Sequence, residues 1–149
     1  MHNNEILGRL ADALTLNEDS LAAIFTLGGE AMTAADALAR TREVDSEGAV
    51  ACTSDQLGRF LEGLILQKRG PRDTDEAPRA PVRLSNNAIL KKLRIALTLK
   101  EDDVLRILDV GGSPTTRLAL SPLFRKPGNK HYRVCSDGVL RSFLTGLAG

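Results

Sequence analysis

The sequence predicts an all-α protein made of two tandem copies of a small four-helix unit, joined by a proline-rich linker. An offset of 83 residues aligns residues 2–66 with residues 85–149 without a gap, and 22 of the 65 aligned residues are identical. Such self-similarity is typical of repeated units. Apolar residues in each copy recur at helical spacing, and no segment shows the period of two that indicates a strand.

The first two helices of each copy are predicted from apolar faces that recur in both copies. The first helix carries Ile6, Leu7, Leu10, Ala13 and Leu14, or Ile89, Leu90, Leu93, Ala96 and Leu97. The second helix carries Leu21, Ile24 and Phe25, or Val104, Ile107 and Leu108. Acidic residues occupy its first turn, where they favour the positive end of the helix dipole. A Gly-Gly pair then ends this helix, because glycine accepts left-handed backbone.

The third and fourth helices are predicted from capping signals and from one proline. A third helix starts near Thr33, which forms a capping box pattern with Asp36. In the second copy Pro122 is expected to end the corresponding helix early or to bend it. The fourth helix follows a longer loop, and Thr53 with Gln56 gives it a capping box. Its apolar face is Leu57, Phe60, Leu61 and Leu64, or Leu140, Phe143, Leu144 and Leu147.

The domain boundaries follow from the repeat and from the prolines between its copies. Residues 1–66 form the first repeat, 67–84 the linker and 85–149 the second repeat. The linker contains Pro71, Pro78 and Pro81, so we expect it to be exposed and partly extended. Units of this size bury only about 60% of their unfolded surface. Docking of the two copies on each other would enlarge that buried fraction.

Charge separates by copy, although the whole chain carries a net charge of only +1. The first repeat has 4 basic and 11 acidic residues, and the second has 11 basic and 5 acidic residues. Three interpretations stay open: solvated faces that diverged after duplication, complementary surfaces that pair within or between chains, and a basic patch for phosphates or nucleic acid. The candidate polyanion-binding residues are Lys91, Lys92, Arg94, Arg117, Arg125, Lys126, Lys130, His131 and Arg133.

Two segments of the second repeat are the best candidates for contact with such a ligand. The second helix, Gly111-Gly112 and a helix starting near Thr115 have the lengths of a helix-turn-helix, although packing is the better explanation, because short helical hairpins with a glycine turn are common in bundles. The loop 124–132 combines cations with a Pro-Gly-Asn turn signal and is long for a small bundle. Phe124 and Tyr132 would anchor this loop, with its cations projecting outwards.

The composition disfavours several other classes of function. With no Trp, one Tyr and four Phe, the chain lacks the aromatic residues of a surface that stacks single-stranded bases. Cys52 and Cys135 recur at equivalent positions and are best explained as small buried side chains. The sequence offers no catalytic set, cofactor motif or metal site, so we expect a binding protein rather than an enzyme. No secretory signal or membrane span is visible, which indicates the cytoplasm.

Several motifs of the second copy occur together in a known family. They are Asn-Asn-x-Ile-Leu at 86–90, Ala-Leu-x-Leu at 96–99, Gly111-Gly112, Leu-Phe-Arg-Lys-Pro-Gly at 123–128, Tyr-Arg-x-Cys at 132–135 and the pattern at 140–147. The chain resembles the YehS-like family (DUF1456), bacterial proteins in which a domain of unknown function occurs in two copies. The resemblance covers both copies and leaves out only the linker. It implies a bacterial, cytoplasmic, non-secreted protein and implies no reaction, cofactor or catalytic residue.

Overall fold

The computed structural model describes residues 1–70 and 84–149 of the chain. The described residues form helices and no strand, which confirms the predicted all-α fold class. The first repeat contains α1 (Asn3–Ala13), α2 (Glu18–Leu27), α3 (Ala34–Ala39) and α4 (Ser54–Arg69). The second contains α5 (Asn86–Ala96), α6 (Glu101–Val110), α7 (Arg117–Leu120), a 3₁₀ helix (Ser121–Phe124) and α8 (Asp137–Ala148).

Helix starts lie where the sequence places capping residues. Thr53 and Gln56 form the predicted capping box at the start of α4, and Thr33 Oγ1 accepts a hydrogen bond from the Asp36 backbone N–H at the start of α3. α4 continues to Arg69, into the segment that the sequence assigned to the linker. Helix-forming residues and two cations near the negative end of the dipole favour this extra turn. The rest of the predicted linker, residues 71–83, lies outside the described residues.

The third helix is short in both repeats, and Pro122 changes its form in the second. α7 has only four residues and passes directly into the 3₁₀ helix, in which Pro122 occupies the first turn. This agrees with the expectation that Pro122 ends the helix early. One α-helical turn is too short for the recognition helix of a helix-turn-helix, so α6 and α7 do not form the DNA-binding motif considered from the sequence.

The two repeats pack on each other reciprocally. α1 packs chiefly against α8, and α5 packs chiefly against α4, whereas α2 packs on α4 and α6 on α8 within each repeat. Buried residues of both repeats form one continuous hydrophobic core, in which Phe25, Phe60 and Phe143 are the largest fully buried side chains. Neither repeat therefore completes its core alone. Among the described helices, none is both long and apolar enough to cross a membrane.

Polar contacts between the repeats follow the same reciprocal plan. Arg9 on α1 donates from Nη1 to Thr145 Oγ1 on α8 over 3.2 Å. At the equivalent place on the other side, Lys92 on α5 pairs with the buried carboxylate of Glu62 on α4. Arg141 on α8 also donates to the carboxylate of Glu5 on α1 over 3.0 Å. Cations therefore cross the interface in both directions.

Candidate anion-binding surface

An open cleft of about 400 Å³ lies where the end of α4, α5 and the turn between α5 and α6 meet. Four cations surround a partly apolar floor, and none of the described residues that line the cleft is acidic. The lining residues are Arg69, Lys91, Arg94, Lys100, Ile95, Leu99, Phe124 and Thr98. Like charges gathered around one volume raise its electrostatic potential, so the cleft favours an anion. We call it the basic cleft.

Arg94 is held in a fixed position in the basic cleft. Its Nε donates a hydrogen bond to the Leu99 carbonyl over 3.1 Å. Its guanidinium carbon stands 4.6 Å from the centre of the Phe124 ring, within the range of a cation–π interaction. Neither contact uses the two terminal nitrogens, which make no hydrogen bond to any residue in 1–70 or 84–149. A guanidinium with a free planar fork is suited to a phosphate or carboxylate.

Arg69 brings the first repeat to the edge of the same cleft. It is the last residue of α4, and its Nη1 donates to Thr98 Oγ1 over 3.1 Å. Thr98 lies in the turn between α5 and α6 with a φ of 52°, and the equivalent Thr15 has a φ of 54°. This left-handed turn is thus a property of both repeats.

A second cleft, of about 430 Å³, shares Phe124 with the basic cleft. It is lined by Ser121, Phe124, Arg125, Lys126 and Asn129. The loop makes a tight turn at this cleft, in which the Asn129 N–H donates to the Lys126 carbonyl over 3.1 Å. Gly128 in this turn has a φ of 94°, a backbone conformation that glycine adopts more readily than other residues. We call this the loop cleft, and the two clefts together form the basic face.

One buried amide holds both ends of the basic loop. Asn87 on α5 is 6% exposed, and its Nδ2 donates to the carbonyls of Leu123 (3.0 Å) and Arg133 (2.8 Å). Its Oδ1 accepts a hydrogen bond from the Cys135 N–H over 2.8 Å. Asn4 makes the equivalent contacts with the first-repeat loop. The second asparagine of the repeated Asn-Asn motif therefore positions the loop, a role that cannot be predicted from the sequence pattern.

The structure places four of the nine residues nominated from the sequence in the two clefts. Lys91 and Arg94 line the basic cleft, and Arg125 and Lys126 line the loop cleft. Lys130 and His131 are exposed further along the same loop. Arg133 is exposed too, but it lines a separate, mostly apolar cleft of about 320 Å³ beside Val134.

Two nominated residues point elsewhere because they have partners inside the protein. Lys92 is drawn between the repeats by its pairing with Glu62. Arg117 pairs with Asp102 and, over 3.3 Å, with Glu101, the acidic residues at the start of α6. Both cations are therefore part of the internal ion-pair network and do not line the basic face.

Two residues of the basic cleft were not nominated from the sequence, namely Arg69 and Lys100. Arg69 was assigned to the linker because prolines and polar residues follow it. Lys100 precedes the acidic first turn of α6, so its neighbours in the sequence do not form a basic cluster. Arg69 and Lys100 are also far from the basic loop in the sequence. Only the packing of α4 against α5 brings their side chains into one cleft.

Comparison of the two repeats shows that the fold does not require these cations. The first-repeat equivalents of Lys91, Arg94, Ile95, Lys100 and Phe124 are Gly8, Ala11, Asp12, Asn17 and Thr41. The turn residues Thr98 and Leu99, by contrast, are identical to Thr15 and Leu16. The first two helices of a repeat and the turn between them therefore form without Lys91, Arg94 and Lys100, and these three cations of the basic cleft belong to the second repeat.

The two cysteines are packing residues. Both are buried, and this burial raises the pKa of the Cys52 thiol and that of the Cys135 thiol to about 11. Each Sγ–H points to the carbonyl of the next residue. Within the ranges that the structure describes, no group of three or more His, Cys, Asp or Glu residues could hold a metal ion.

Comparison with known proteins identifies relatives of this chain. The model of a family described as a protein of unknown function (DUF1456) matches residues 3–70 and 86–148. The chain is 38% identical over 148 residues to the "Uncharacterized protein YehS" of Escherichia coli (strain K12), covering 99% of this chain and 95% of that protein. No solved structure matches the chain. The two matched segments correspond to the two repeats.

Proposed function

The chain belongs to the DUF1456 family, and from its basic face we propose that it is a binding protein for polyanions, with nucleic acid as the first class. The side chains of the two clefts are cations, hydroxyls, an amide and apolar groups. That set is suited to holding an anion rather than to catalysis. A cytoplasmic location, where nucleic acid is available, is part of the proposal.

The single observation that carries the proposal is the difference between the repeats at equivalent positions. In the basic cleft, Lys91, Arg94, Lys100 and the ring of Phe124 stand where the first repeat has Gly8, Ala11, Asn17 and Thr41. Packing does not explain Lys91, Arg94 and Lys100, because the first repeat builds the same two helices and the turn between them without these cations. Exposed cations that gather around two adjoining clefts support recognition of a ligand with several negative charges.

Binding through such contacts is expected to depend strongly on salt. Salt counterions bound along the nucleic-acid backbone are released when lysine and arginine side chains replace them, so added salt weakens binding. If a single strand engages about four cations, its affinity should fall roughly 50-fold between 50 and 200 mM salt. A ligand held mainly by apolar contact would show a much weaker dependence.

Fluorescence anisotropy with labelled single-stranded RNA and duplex DNA tests the proposal on the full chain. The variant Lys126→Glu/Lys130→Glu is expected to lose at least about tenfold in affinity. The control Lys68→Glu/Arg106→Glu makes the same change in net charge at exposed positions outside the clefts. It should stay within about threefold of the unmodified chain. Absence of binding at low salt, or equal losses in both variants, would refute the proposal.

A second candidate function is self-association, in which the acidic repeat of one chain contacts the basic repeat of another. It is favoured by the first-repeat loop, where Glu43, Asp45 and Glu47 are all exposed and none forms an ion pair with a described residue. Sedimentation velocity at several chain concentrations tests it. Association that weakens with salt and disappears in Glu43→Lys/Asp45→Lys would support this candidate, whereas a monomer throughout would exclude it.

A further inference from the structure

The number of cations around the basic cleft sets a requirement on its ligand. Arg69, Lys91, Arg94 and Lys100 line one volume of about 400 Å³. A phosphodiester inside a nucleic-acid strand carries one negative charge, whereas a terminal phosphate carries about 1.5 to 2 at neutral pH. A pyrophosphate carries more. Four cations around one small volume are therefore matched better by a terminal phosphate group than by a single internal phosphate.

Arg94 gives this site a donor that is oriented before any ligand arrives. Its contacts with the Leu99 carbonyl and the Phe124 ring restrict the guanidinium, and its terminal nitrogens make no hydrogen bond to any residue that the structure describes. A restricted donor loses less conformational entropy on binding than a mobile lysine does. Its planar fork can donate two parallel hydrogen bonds to two oxygens of one phosphate.

The floor of the basic cleft offers a place for the part of the ligand that carries the phosphate. Ile95 is 40% exposed beside the four cations, where the first repeat has Asp12. Together with Leu99 and Phe124 it forms an apolar surface within the same cleft. A flat ring covers such a surface favourably. The volume also lies in the usual range for small-molecule sites.

We infer that the basic cleft binds a terminal phosphate, either a phosphate monoester or a pyrophosphate, whose attached nucleoside rests on Ile95, Leu99 and Phe124. The inference rests on the proposed function and specifies the ligand group at the same surface. Arg94 and Lys91 hold the phosphate, and Arg69 and Lys100 add charge from the two ends of the cleft. Both the 5′ end of a strand and a free nucleotide present this chemistry.

Two titrations of the full chain at low salt test the inference and separate these sources. In the first, one labelled oligonucleotide is compared with and without a 5′-phosphate. The phosphorylated strand should bind at least about tenfold tighter, since it adds charge-assisted hydrogen bonds. In the second, calorimetry compares ADP, inorganic pyrophosphate and adenosine. ADP should bind tightest, pyrophosphate more weakly, and adenosine without measurable affinity.

Variants of the basic cleft and the loop cleft give matched controls. Arg94→Gln should abolish the preference for the 5′-phosphate, and Lys91→Gln/Lys100→Gln, at exposed positions, should reduce it several-fold. Lys126→Gln in the loop cleft should weaken both strands equally and keep the preference. Thermal unfolding establishes that each variant is folded, and Ala11 at the first-repeat equivalent of Arg94 indicates that the fold tolerates the change.

The outcomes separate the inference from the proposed function. Equal binding of both strands and no ADP binding would overturn the inference and leave polyanion binding in place. If no strand binds at all, the proposed function is refuted, and the titration with ADP then tests the inference alone. ADP binding that is lost in Arg94→Gln would support a terminal-phosphate site. Absence of ADP binding would overturn the inference as well.

Discussion

Gly28, at the end of α2, lies directly against Gly63 in the middle of α4. A Cβ atom on Gly63 would stand 1.9 Å from the Ile24 carbonyl oxygen and 2.9 Å from the Gly28 nitrogen. The second repeat has the same contact between Gly111 and Gly146, where a Cβ on Gly146 would stand 1.9 Å from the Ile107 oxygen. Helix contact this close requires glycine at both points, and its recurrence explains why these glycines are identical in the two repeats.

Replacing Gly63 by alanine is expected to lower the free energy of unfolding by about 3 kcal/mol or more, because backbone atoms of α2 must move away. The roughly 1 kcal/mol that alanine gains in helix propensity does not offset this. Urea unfolding measures the change. Gly138→Ala in α8 is the control, since a Cβ there meets only Ser136 Oγ at 3.8 Å, and it should be neutral or stabilising. Equal stability of the two variants would contradict the close contact.

Replacing Asn87 by alanine should destabilise the protein by about 1–3 kcal/mol, because the Cys135 N–H and two carbonyls lose their buried partner. The loop that carries Arg125 and Lys126 should also become more mobile. Hydrogen exchange of the loop amides, together with unfolding, measures both effects. Lys130→Ala, at an exposed position of the same loop, is expected to change stability by less than about 0.5 kcal/mol.

The contact between Glu5 and the second repeat should make stability depend on pH. The Arg141 guanidinium, with help from Arg9 and against the effect of burial, holds the pKa of the Glu5 carboxyl below its ordinary value. A lowered folded-state pKa means that this contribution is present above about pH 4.5 and is lost as the pH falls through the folded-state value. The stability difference between the unmodified chain and Glu5→Gln should therefore shrink between pH 5 and pH 3.

Two further variants check the assignment of that pH dependence. Arg141→Gln should remove most of the effect, because its hydrogen bond is the largest cause of the lowered pKa of Glu5. Arg9→Gln should remove less. A pH profile of Glu5→Gln that runs parallel to that of the unmodified chain would show that this ion pair does not link the repeats in solution.

The two cysteines should resist thiol reagents as long as the protein is folded. With a thiol pKa of about 11, the reactive thiolate fraction at pH 8 is roughly a hundredfold below that of an ordinary cysteine, and burial slows access further. The rate at which Cys52 and Cys135 react with a disulfide reagent should rise with urea concentration in parallel with the unfolded fraction. Ser121→Cys places a thiol at an exposed position and should react at once. Fast reaction of Cys52 or Cys135 in the folded chain would exclude a pure packing role.

The sequence predicted the helices well because every apolar face appears twice. It could not predict which of the neighbouring residues Lys91 and Lys92 faces the clefts, since this depends on how α5 docks on α4. That docking turns Lys92 towards Glu62 and leaves Lys91 exposed. Arg69 was missed for a related reason: only the continuation of α4 brings it to Thr98. The hydrogen bonds of Asn87 could not be predicted from the sequence either, because its partners are backbone groups, which every residue carries.

The reciprocal packing of α1 on α8 and of α5 on α4 has a consequence for stoichiometry. It makes the chain equivalent to a two-fold dimer whose subunits are covalently joined. Identical subunits would carry every surface feature twice, whereas joined repeats can differ at equivalent positions. This chain has Lys91, Arg94 and Lys100 in the second repeat and Gly8, Ala11 and Asn17 at the equivalent positions of the first, so each chain should bind one ligand in the basic cleft.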